Sequence, residues 1–354
     1  MVEILLSIFL IEISFRIMYR ILKGGDYFVS MKVPWKKSYI KSHPYLSFSY
    51  KENSVIDKNQ KLNYSFCPKK YYSFKDELKL NNFGHFGEDF KTKSKKKRVM
   101  CLGASTTANN ISDGDKDYTY PKLLEEYLNK NSNEEFEVFN CGIGGWMSPD
   151  IMINFMLNLI QLKPDYVILY HGYNDLQIFL MDEFKRDYSA GRGNLGDVIS
   201  KIKLSYYLPK IKGLHSYEFL KDKLFGTGNI RNDVFSMTTK QKINYDNEYK
   251  DLSIENDILK NILIICKHYN IKCILSSFAY YNTKTTESLK LNKGVNKQNH
   301  LRKKLANEFK YPFVNQSVLN KNKDNFVDSI HFSPKGMKSL AERFGKKILE
   351  INND

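Results

Sequence analysis

From residue 98 to the C-terminus, short apolar runs bounded by turn signals alternate with amphipathic stretches. This alternation is typical of a parallel sheet with helices on its faces, and it constrains the fold more than any other feature of the chain. The apolar runs predict strands at Val99–Leu102, Phe136–Asn140, Tyr166–Tyr170, Cys273–Ser276 and Pro312–Asn315. The amphipathic stretches predict helices at Tyr120–Asn129, Pro149–Leu162, Ile254–Tyr269, His300–Phe309 and Pro334–Ile351. We therefore expect a three-layer α/β/α domain over residues 98–354, built around a central parallel sheet.

The first 23 residues differ in character from this domain. Residues 2–22 are apolar enough to meet a bilayer, although Glu12, Arg16 and Arg20 interrupt them. The segment lacks the basic start and the small-residue cleavage site of a signal peptide. We expect a membrane-associated helix that either spans the bilayer or lies at its surface, with a docking helix as the alternative. Basic residues follow the apolar core, which slightly favours a cytoplasmic location for the rest of the chain.

Two further segments carry no motif that indicates a function. Residues 24–97 are polar, aromatic and irregular, and we expect an extension that packs on the catalytic domain or links to it. Between residues 176 and 252 the alternation gives way to a long Lys- and Tyr-rich insertion. Structureless loops of this length are uncommon in compact domains, so we expect helices within the insertion, and a lid is one role open to them.

Charge and cysteine usage indicate which partners, disulfides and cofactors to expect. The 55 Lys and Arg against 39 Asp and Glu leave a net charge of +16, which permits binding to nucleic acid or anionic lipid. The one dense basic run, Lys91–Arg98, contains no aromatic residue on which a base could stack, so we interpret it as a linker and expect no nucleic-acid partner. The five cysteines form no CxxC pair and no HExxH motif is present, so we expect no disulfide framework, metal or cofactor.

Residues of the types used in catalysis follow the predicted strands. Gly103 to Thr107 come after the first strand, Asn140 to Gly145 after the second, and His171 to Asp175 after the third. A fourth segment, Asp328 to His331, stands just before the last predicted helix. Because ligands of open parallel sheets bind outside the carboxyl ends of the strands, the first three segments are expected to converge on one crevice.

These segments contain the groups that acyl transfer requires. The hydroxyl of Ser105 is a weak nucleophile unless a base takes its proton, and His331 can act as that base. A carboxylate must hold the imidazole in the correct tautomer, and Asp328 lies three residues before the histidine. The tetrahedral oxyanion then needs donors, for which we expect the backbone N–H groups of Ser105 and Gly145 and the side-chain amide of Asn174.

The four segments, in this order, resemble the four sequence blocks of the SGNH (GDSL-like) hydrolase family. The resemblance covers about residues 80–175 and 325–350, and it implies a flavodoxin-like sheet. For individual residues it implies Ser105 as nucleophile, Gly145 and Asn174 in the oxyanion hole, and Asp328 with His331 completing a catalytic triad. No metal or cofactor is implied.

The chain departs from the family pattern in two places. The first block reads Gly-Ala-Ser-Thr where many members have Gly-Asp-Ser, so any role of that aspartate is absent. The second block has glycine at 142, 144 and 145, and we choose Gly145 because the N-x-G-x-x-G spacing from Asn140 ends there. Three further residues within these blocks are expected to line the pocket: Thr106, Asp175 and His171, the last without direct participation in the chemistry.

Together the residues and the resemblance predict a serine esterase that removes a small acyl group through an acyl-enzyme. The resemblance implies acetyl on a carbohydrate as the first guess. An O-acyltransferase with the same triad and a sugar hydroxyl as acceptor is the alternative, since the sequence does not show which acceptor reaches the acyl-enzyme. A non-catalytic basic membrane tether is a further alternative, but it would not need an intact triad.

Overall fold

The computed structural model describes residues 2–23, 40–41, 43, 45–56, 78–91, 94–108, 119–182, 184–188 and 243–353. The chain divides into two compact units, one made of residues 1–38 and 189–241 and the other of residues 39–188 and 242–354. Most of the predicted insertion and part of the predicted extension lie outside the described residues, and so do any helices or lid within that insertion.

The described part of the first unit is a single helix, α1 (Val2–Lys23), where the apolar N-terminal stretch predicts one. Glu12, which interrupts this stretch, is buried and pairs with Arg16 one helical turn away at 2.8 Å. Within the described residues no helix combines the length and the apolar character needed to cross a membrane. Association of α1 with a membrane stays a prediction.

The second unit contains the sheet. The described strands of this unit are β1 (Ile40–Lys41), β2 (Ser49–Tyr50), β3 (Val55–Ile56), β4 (Leu78–Lys79), β5 (Lys97–Gly103), β6 (Phe136–Gly142), β7 (Tyr166–Tyr170), β8 (Lys272–Ser276) and β9 (Phe313–Val314). Strands β5 to β9 form one parallel sheet in the order β6-β5-β7-β8-β9, which is the flavodoxin-like order. The prediction of a central parallel sheet is confirmed, and each predicted strand overlaps an observed one.

Helices cover this sheet. Those described in the second unit are α2 (Ser105–Ala108), α3 (Tyr120–Asn131), α4 (Ser148–Asn154), α5 (Tyr173–Ile178), α6 (Ser253–His268), α7 (Thr286–Phe309) and α8 (Pro334–Asn353). Helices α3 and α8 pack on each other and on the side of the sheet to which Val99 and Cys101 point. The start of α3 is set by the Thr119 side chain, which accepts a hydrogen bond from the Lys122 N–H.

Two helices differ from the sequence prediction. Helix α7 begins at Thr286 instead of His300, because the Thr285 side chain caps it by accepting from the Ser288 N–H at 3.2 Å. The polar stretch before His300 hides a buried stripe that includes Leu291 and Val295. The predicted helix Pro149–Leu162 is α-helical only to Asn154, and a π-helical turn (Phe155–Leu159) and a 3₁₀ turn (Ile160–Leu162) follow.

The described part of the predicted extension includes two short antiparallel pairs, β1–β2 and β3–β4. One segment of it, residues 45–50, is tied to the loop after β6. The Trp146 indole N–H donates to the Phe48 carbonyl at 3.0 Å, and the Ser47 N–H donates to the Asp150 carboxylate at 2.8 Å. Residues 45–50 therefore lie beside the carboxyl end of β6, where the predicted site residues of the second block follow the strand.

Candidate active site

Three neighbouring strands end side by side at the carboxyl edge of the sheet. Gly103 at the end of β5 pairs with Gly142 of β6 on one side and with Tyr170 of β7 on the other. The segments that follow these strands therefore start next to one another. The convergence predicted from the topology of a parallel sheet is what the structure shows.

Ser105 is the first residue of the short helix α2, directly after β5. The residues from Ala104 to Ala108 pack closely on the end of β6, because a side chain at Gly142 would collide with the Ala108 N–H and the Ala104 carbonyl. The Thr107 hydroxyl donates to the Tyr170 carbonyl at 3.1 Å and ties α2 to β7. Ser105 is thus held at the rim of the sheet and is partly exposed.

His331 and Asp328 lie on the loop before α8. One carboxylate oxygen of Asp328, Oδ1, accepts from the backbone N–H groups of Ile330 and His331, each at 2.7 Å. This turn brings the other oxygen, Oδ2, within 2.6 Å of His331 Nδ1. The opposite ring nitrogen, Nε2, lies 2.9 Å from Ser105 Oγ. Residues 226 positions apart in the chain therefore form one continuous hydrogen-bonded series.

The electrostatics of this series favour an ionised carboxylate. Burial of Asp328 by itself would raise the pKa of the carboxyl group, but the hydrogen bonds and charge interaction with His331 outweigh it and hold the pKa below its usual value. An ionised Asp328 accepts the Nδ1 proton of His331. The Nε2 lone pair then faces the Ser105 hydroxyl, as a general base requires.

The predicted oxyanion donors lie beside the serine. A side chain at Gly144 would come within 3.7 Å of Ser105 Cβ, so the Gly144–Gly145 turn borders the nucleophile. Gly145 has a φ of +83°, a conformation that favours glycine. Asn174 donates from Nδ2 to the Trp146 carbonyl at 2.8 Å, which links the third block to the second. Among the described residues, the N–H groups of Ser105 and Gly145 donate no hydrogen bond.

The three residues predicted to line the pocket are placed in the interior instead of on an open wall. Thr106, His171 and Asp175 are 2%, 3% and 0% exposed. Asp175 accepts from the Ser148 N–H at 3.2 Å and from the Tyr188 hydroxyl at 2.9 Å. The side chain of Thr106, by contrast, makes no hydrogen bond within the described structure. Ser105 and Asn174, which lie next to these residues in the chain, are partly exposed.

His171 belongs to a second polar cluster that sequence reasoning missed. Its Nε2 atom lies 2.7 Å from Ser148 Oγ and 3.5 Å from Glu255 Oε1. Glu255 in turn pairs with Arg302, and Gln298 donates to the same carboxylate. Burial raises the pKa of Glu255 to about 7 despite the opposing charge of Arg302. Burial, and then the charge of Arg302, hold the pKa of His171 well below its usual value.

No local signal in the sequence marks this second cluster. Glu255 has the position of an ordinary first-turn acid in α6, and Arg302 lies among lysines in α7. Only the packing of α6 and α7 against the loop after β7 brings them together. In the part of the chain that the structure describes, no group of three or more His, Cys, Asp or Glu residues is arranged to hold a metal ion.

Comparison with known proteins gives one family and several distant structures. The sequence matches the profile of the GDSL-like lipase/acylhydrolase family over residues 101–338. No curated protein sequence matches the chain significantly. Similar solved structures include an acetylxylan esterase from Geobacillus stearothermophilus, with 15% identity over 73% of this chain and 96% of that chain at a TM-score of 0.41. A lipase/acylhydrolase from Enterococcus faecalis has 14% identity over 71% of this chain and 95% of that chain at a TM-score of 0.42.

Proposed function

Because the chain belongs to the GDSL-like lipase/acylhydrolase family and is therefore an ester hydrolase, we propose that it cleaves small acyl esters with Ser105 as its nucleophile. The observation that carries this proposal is the unbroken series from Ser105 Oγ to His331 Nε2 at 2.9 Å and from His331 Nδ1 to Asp328 at 2.6 Å. A serine triad requires this order of contacts, with the imidazole between the hydroxyl and the carboxylate.

In the first half of the reaction, Ser105 Oγ attacks the ester carbonyl carbon while His331 Nε2 takes the hydroxyl proton. A tetrahedral intermediate forms with its negative charge on the former carbonyl oxygen. When this intermediate collapses, the bond between the acyl carbon and the alcohol oxygen breaks. His331 then gives its proton to the departing alcohol, and the acyl group remains bound to Ser105.

The oxyanion would be stabilised by three donors. The N–H groups of Ser105 and Gly145 are not engaged elsewhere among the described residues, so they are free to point at the developing charge. Asn174 uses one amide hydrogen to hold the Trp146 carbonyl at 2.8 Å, and the second hydrogen of the same NH₂ group remains for the oxyanion. The bond to Trp146 fixes the orientation of the amide.

In the second half, a water molecule replaces the alcohol. His331 takes a proton from this water as it attacks the acyl carbon, and the bond to Ser105 Oγ breaks when the second tetrahedral intermediate collapses. Ser105 recovers its proton from His331, and the carboxylic acid leaves. Asp328 keeps the imidazole oriented throughout and stabilises its cationic form without being protonated itself.

The test is hydrolysis of p-nitrophenyl acetate, butyrate and octanoate by the full chain and by Ser105→Ala, His331→Ala and Ser148→Ala variants. We expect the first two variants to lose about 10³-fold or more of kcat, while Ser148→Ala, which removes a buried hydroxyl of the same type, loses less than about 10-fold. The acetate is expected to be the best substrate. Wild-type rates in Ser105→Ala or His331→Ala would overturn the proposal.

A further inference from the structure

A cavity of about 220 Å³ lies next to the loop after β6, against Ile143 and Trp146. Most of its described lining comes from residues 43–52 and 82–85, and these residues precede residue 101, where the family match begins. Most of the described lining thus lies before the matched residues 101–338, and Ile143, Trp146, Asn154 and Asn158 complete it from within them. Its position is fixed by the bond from the Trp146 indole to the Phe48 carbonyl at 3.0 Å.

Two buried polar atoms on the wall of this cavity lack a hydrogen-bond partner in good geometry: Ser49 Oγ, and His85 Nδ1, whose ring lies near the backbone of Gly142. Ser49 is 9% exposed and His85 is 2% exposed. Buried side-chain polar groups in folded proteins are nearly always hydrogen-bonded, and two exceptions on one cavity wall indicate an occupant that supplies the missing partners. An apolar acyl chain would leave both atoms unsatisfied, so it does not fit.

The character of the wall narrows the chemistry of this occupant. Burial lowers the pKa of His85 to about 4, so the imidazole is neutral; its Nε2 atom lies 3.5 Å from Asn154 Nδ2, which leaves Nδ1 for the occupant. No lysine or arginine is present among the described lining residues, and Glu52 supplies a carboxylate, which disfavours an anionic ligand. The rings of Phe83 and Trp146 add apolar surface. The wall therefore suits a neutral molecule with several hydroxyl groups and apolar faces.

The size of the cavity limits the occupant to one ring. Its volume of about 220 Å³ lies below the roughly 300–1,000 Å³ typical of pockets for drug-sized ligands. A single six-membered sugar ring is compatible with this space, whereas an extended oligosaccharide would have to continue outside it.

Tyr50 joins the cavity to the nucleophile. The Tyr50 side chain lines the cavity, and its hydroxyl lies 3.5 Å from the position that a Cβ atom at Gly144 would occupy. Ser105 Cβ lies 3.7 Å from the same point. Tyr50 is thus the residue that the cavity shares with the surroundings of the serine and of the Gly144–Gly145 turn.

We propose that this cavity binds a single neutral sugar ring, the alcohol portion of the ester that Ser105 cleaves. The proposal rests on the esterase function proposed above and adds the substrate class. Hydroxyl groups of the sugar pair with Ser49 Oγ and His85 Nδ1, and the extension before residue 101 sets the specificity of the enzyme for the alcohol.

Ser49→Ala provides a selective test, because it removes a hydroxyl that has no partner within the protein and should not lower stability. The readout is the ratio of kcat/KM for a monoacetylated methyl glucoside to that for p-nitrophenyl acetate, which carries the same acyl group. We expect this ratio to fall about 3- to 10-fold, as for the loss of one neutral hydrogen bond. The fall should come from a higher KM for the glucoside, with kcat unchanged. Ser94→Ala, the same substitution at an exposed site, should leave the ratio unchanged.

A binding measurement separates this proposal from the esterase function. The Ser105→Ala protein is titrated calorimetrically with the methyl glycosides of glucose, galactose and xylose, and with cyclohexanol as a ring that carries one hydroxyl. We expect at least one glycoside to bind, cyclohexanol not to bind, and the Ser49→Ala substitution to weaken glycoside binding.

The outcomes of the two experiments are distinguishable. If ester hydrolysis depends on Ser105 but no glycoside binds and Ser49→Ala leaves the ratio unchanged, the sugar site is wrong and the esterase function stands. If hydrolysis does not depend on Ser105, the esterase function fails, and the titration alone still decides whether the cavity binds a sugar. Equal binding of cyclohexanol and the glycosides would also overturn the sugar site.

Discussion

Two clusters at the same end of the sheet have the same residue types, a serine, a histidine and a carboxylate: Ser105, His331 and Asp328 in the first, and Ser148, His171 and Glu255 in the second. In the first cluster the serine and the carboxylate contact opposite nitrogens of the imidazole. In the second they both approach the same nitrogen, Nε2, at 2.7 and 3.5 Å. Composition alone would not distinguish the clusters, but their connectivity does.

The difference decides what each cluster can do. A general base needs one ring nitrogen held by the carboxylate and the other free to take the serine proton, and only His331 satisfies this condition. His171 is buried, and burial lowers its pKa well below the usual value, so it is neutral and cannot accept a proton readily. The first cluster is arranged for proton transfer, whereas the second holds the loops after β6 and β7 in place.

The largest expected effect is a loss of kcat on substitution of the carboxylate in the first cluster. Asp328→Asn should lower kcat for p-nitrophenyl acetate about 10³- to 10⁴-fold, because the amide no longer holds His331 in the tautomer that takes the serine proton. Glu255→Gln makes the same change in the second cluster and should cost less than about 10-fold. Equal losses in two folded variants would show that the second cluster takes part in the chemistry.

The structural role of the second cluster is tested by substituting Arg302, which pairs with Glu255 in the interior. Arg302→Leu should lower the free energy of unfolding by about 3–5 kcal/mol, because it leaves a buried carboxylate without its cation. Lys335→Met removes one side of an exposed pair with Asp324, 3.7 Å apart, and should change stability by less than about 1 kcal/mol. Denaturant titration measures both, and similar values would contradict a structural role for the buried pair.

The smallest expected effect is a difference in pH dependence between the two carboxylates. The pKa of Asp328 is lowered by folding, so its contribution to stability is present above the pKa of the unfolded chain and is lost as pH falls through the lowered value. The pKa of Glu255 is raised from 4.5 to about 7, so its contribution is present below pH 4.5 and is lost as pH rises towards 7.

Unfolding free energies of the wild type, Asp328→Asn and Glu255→Gln across this range measure the two contributions by subtraction. We expect the two differences to run in opposite directions with pH. Two differences that change in the same direction would show that the environment of one carboxylate has been misassigned.

The first cluster was open to prediction from sequence, whereas the second was not. Ser105 directly follows an apolar strand, and Asp328 and His331 are three residues apart, so local spacing and the rule for parallel sheets were enough to bring them together. Glu255 and Arg302 come from two helices whose relative placement depends on packing. For the same reason no sequence pattern indicated that Tyr50 of the extension lies next to Gly144, which borders the nucleophile.

The strands were predicted more closely than the helices because buried parallel strands are continuous apolar runs. The start of α7 was missed, since Gly294 and several polar residues interrupt its pattern. In the structure Gly294 is the place where Tyr249 and Leu176 pack closely against the helix, and a side chain there would collide with both. Packing by Tyr249 and Leu176, which are distant in the sequence, thus explains a glycine that disfavours a helix when only its neighbours in the chain are considered.

The central claim, that Ser105 and not Ser148 is the nucleophile, is tested most directly by labelling with a fluorophosphonate followed by peptide mass spectrometry. We expect modification of Ser105 in the wild-type protein, no modification of Ser148, and loss of labelling in His331→Ala. Labelling of Ser148, or an unmodified Ser105 in protein that hydrolyses p-nitrophenyl acetate, would contradict the account.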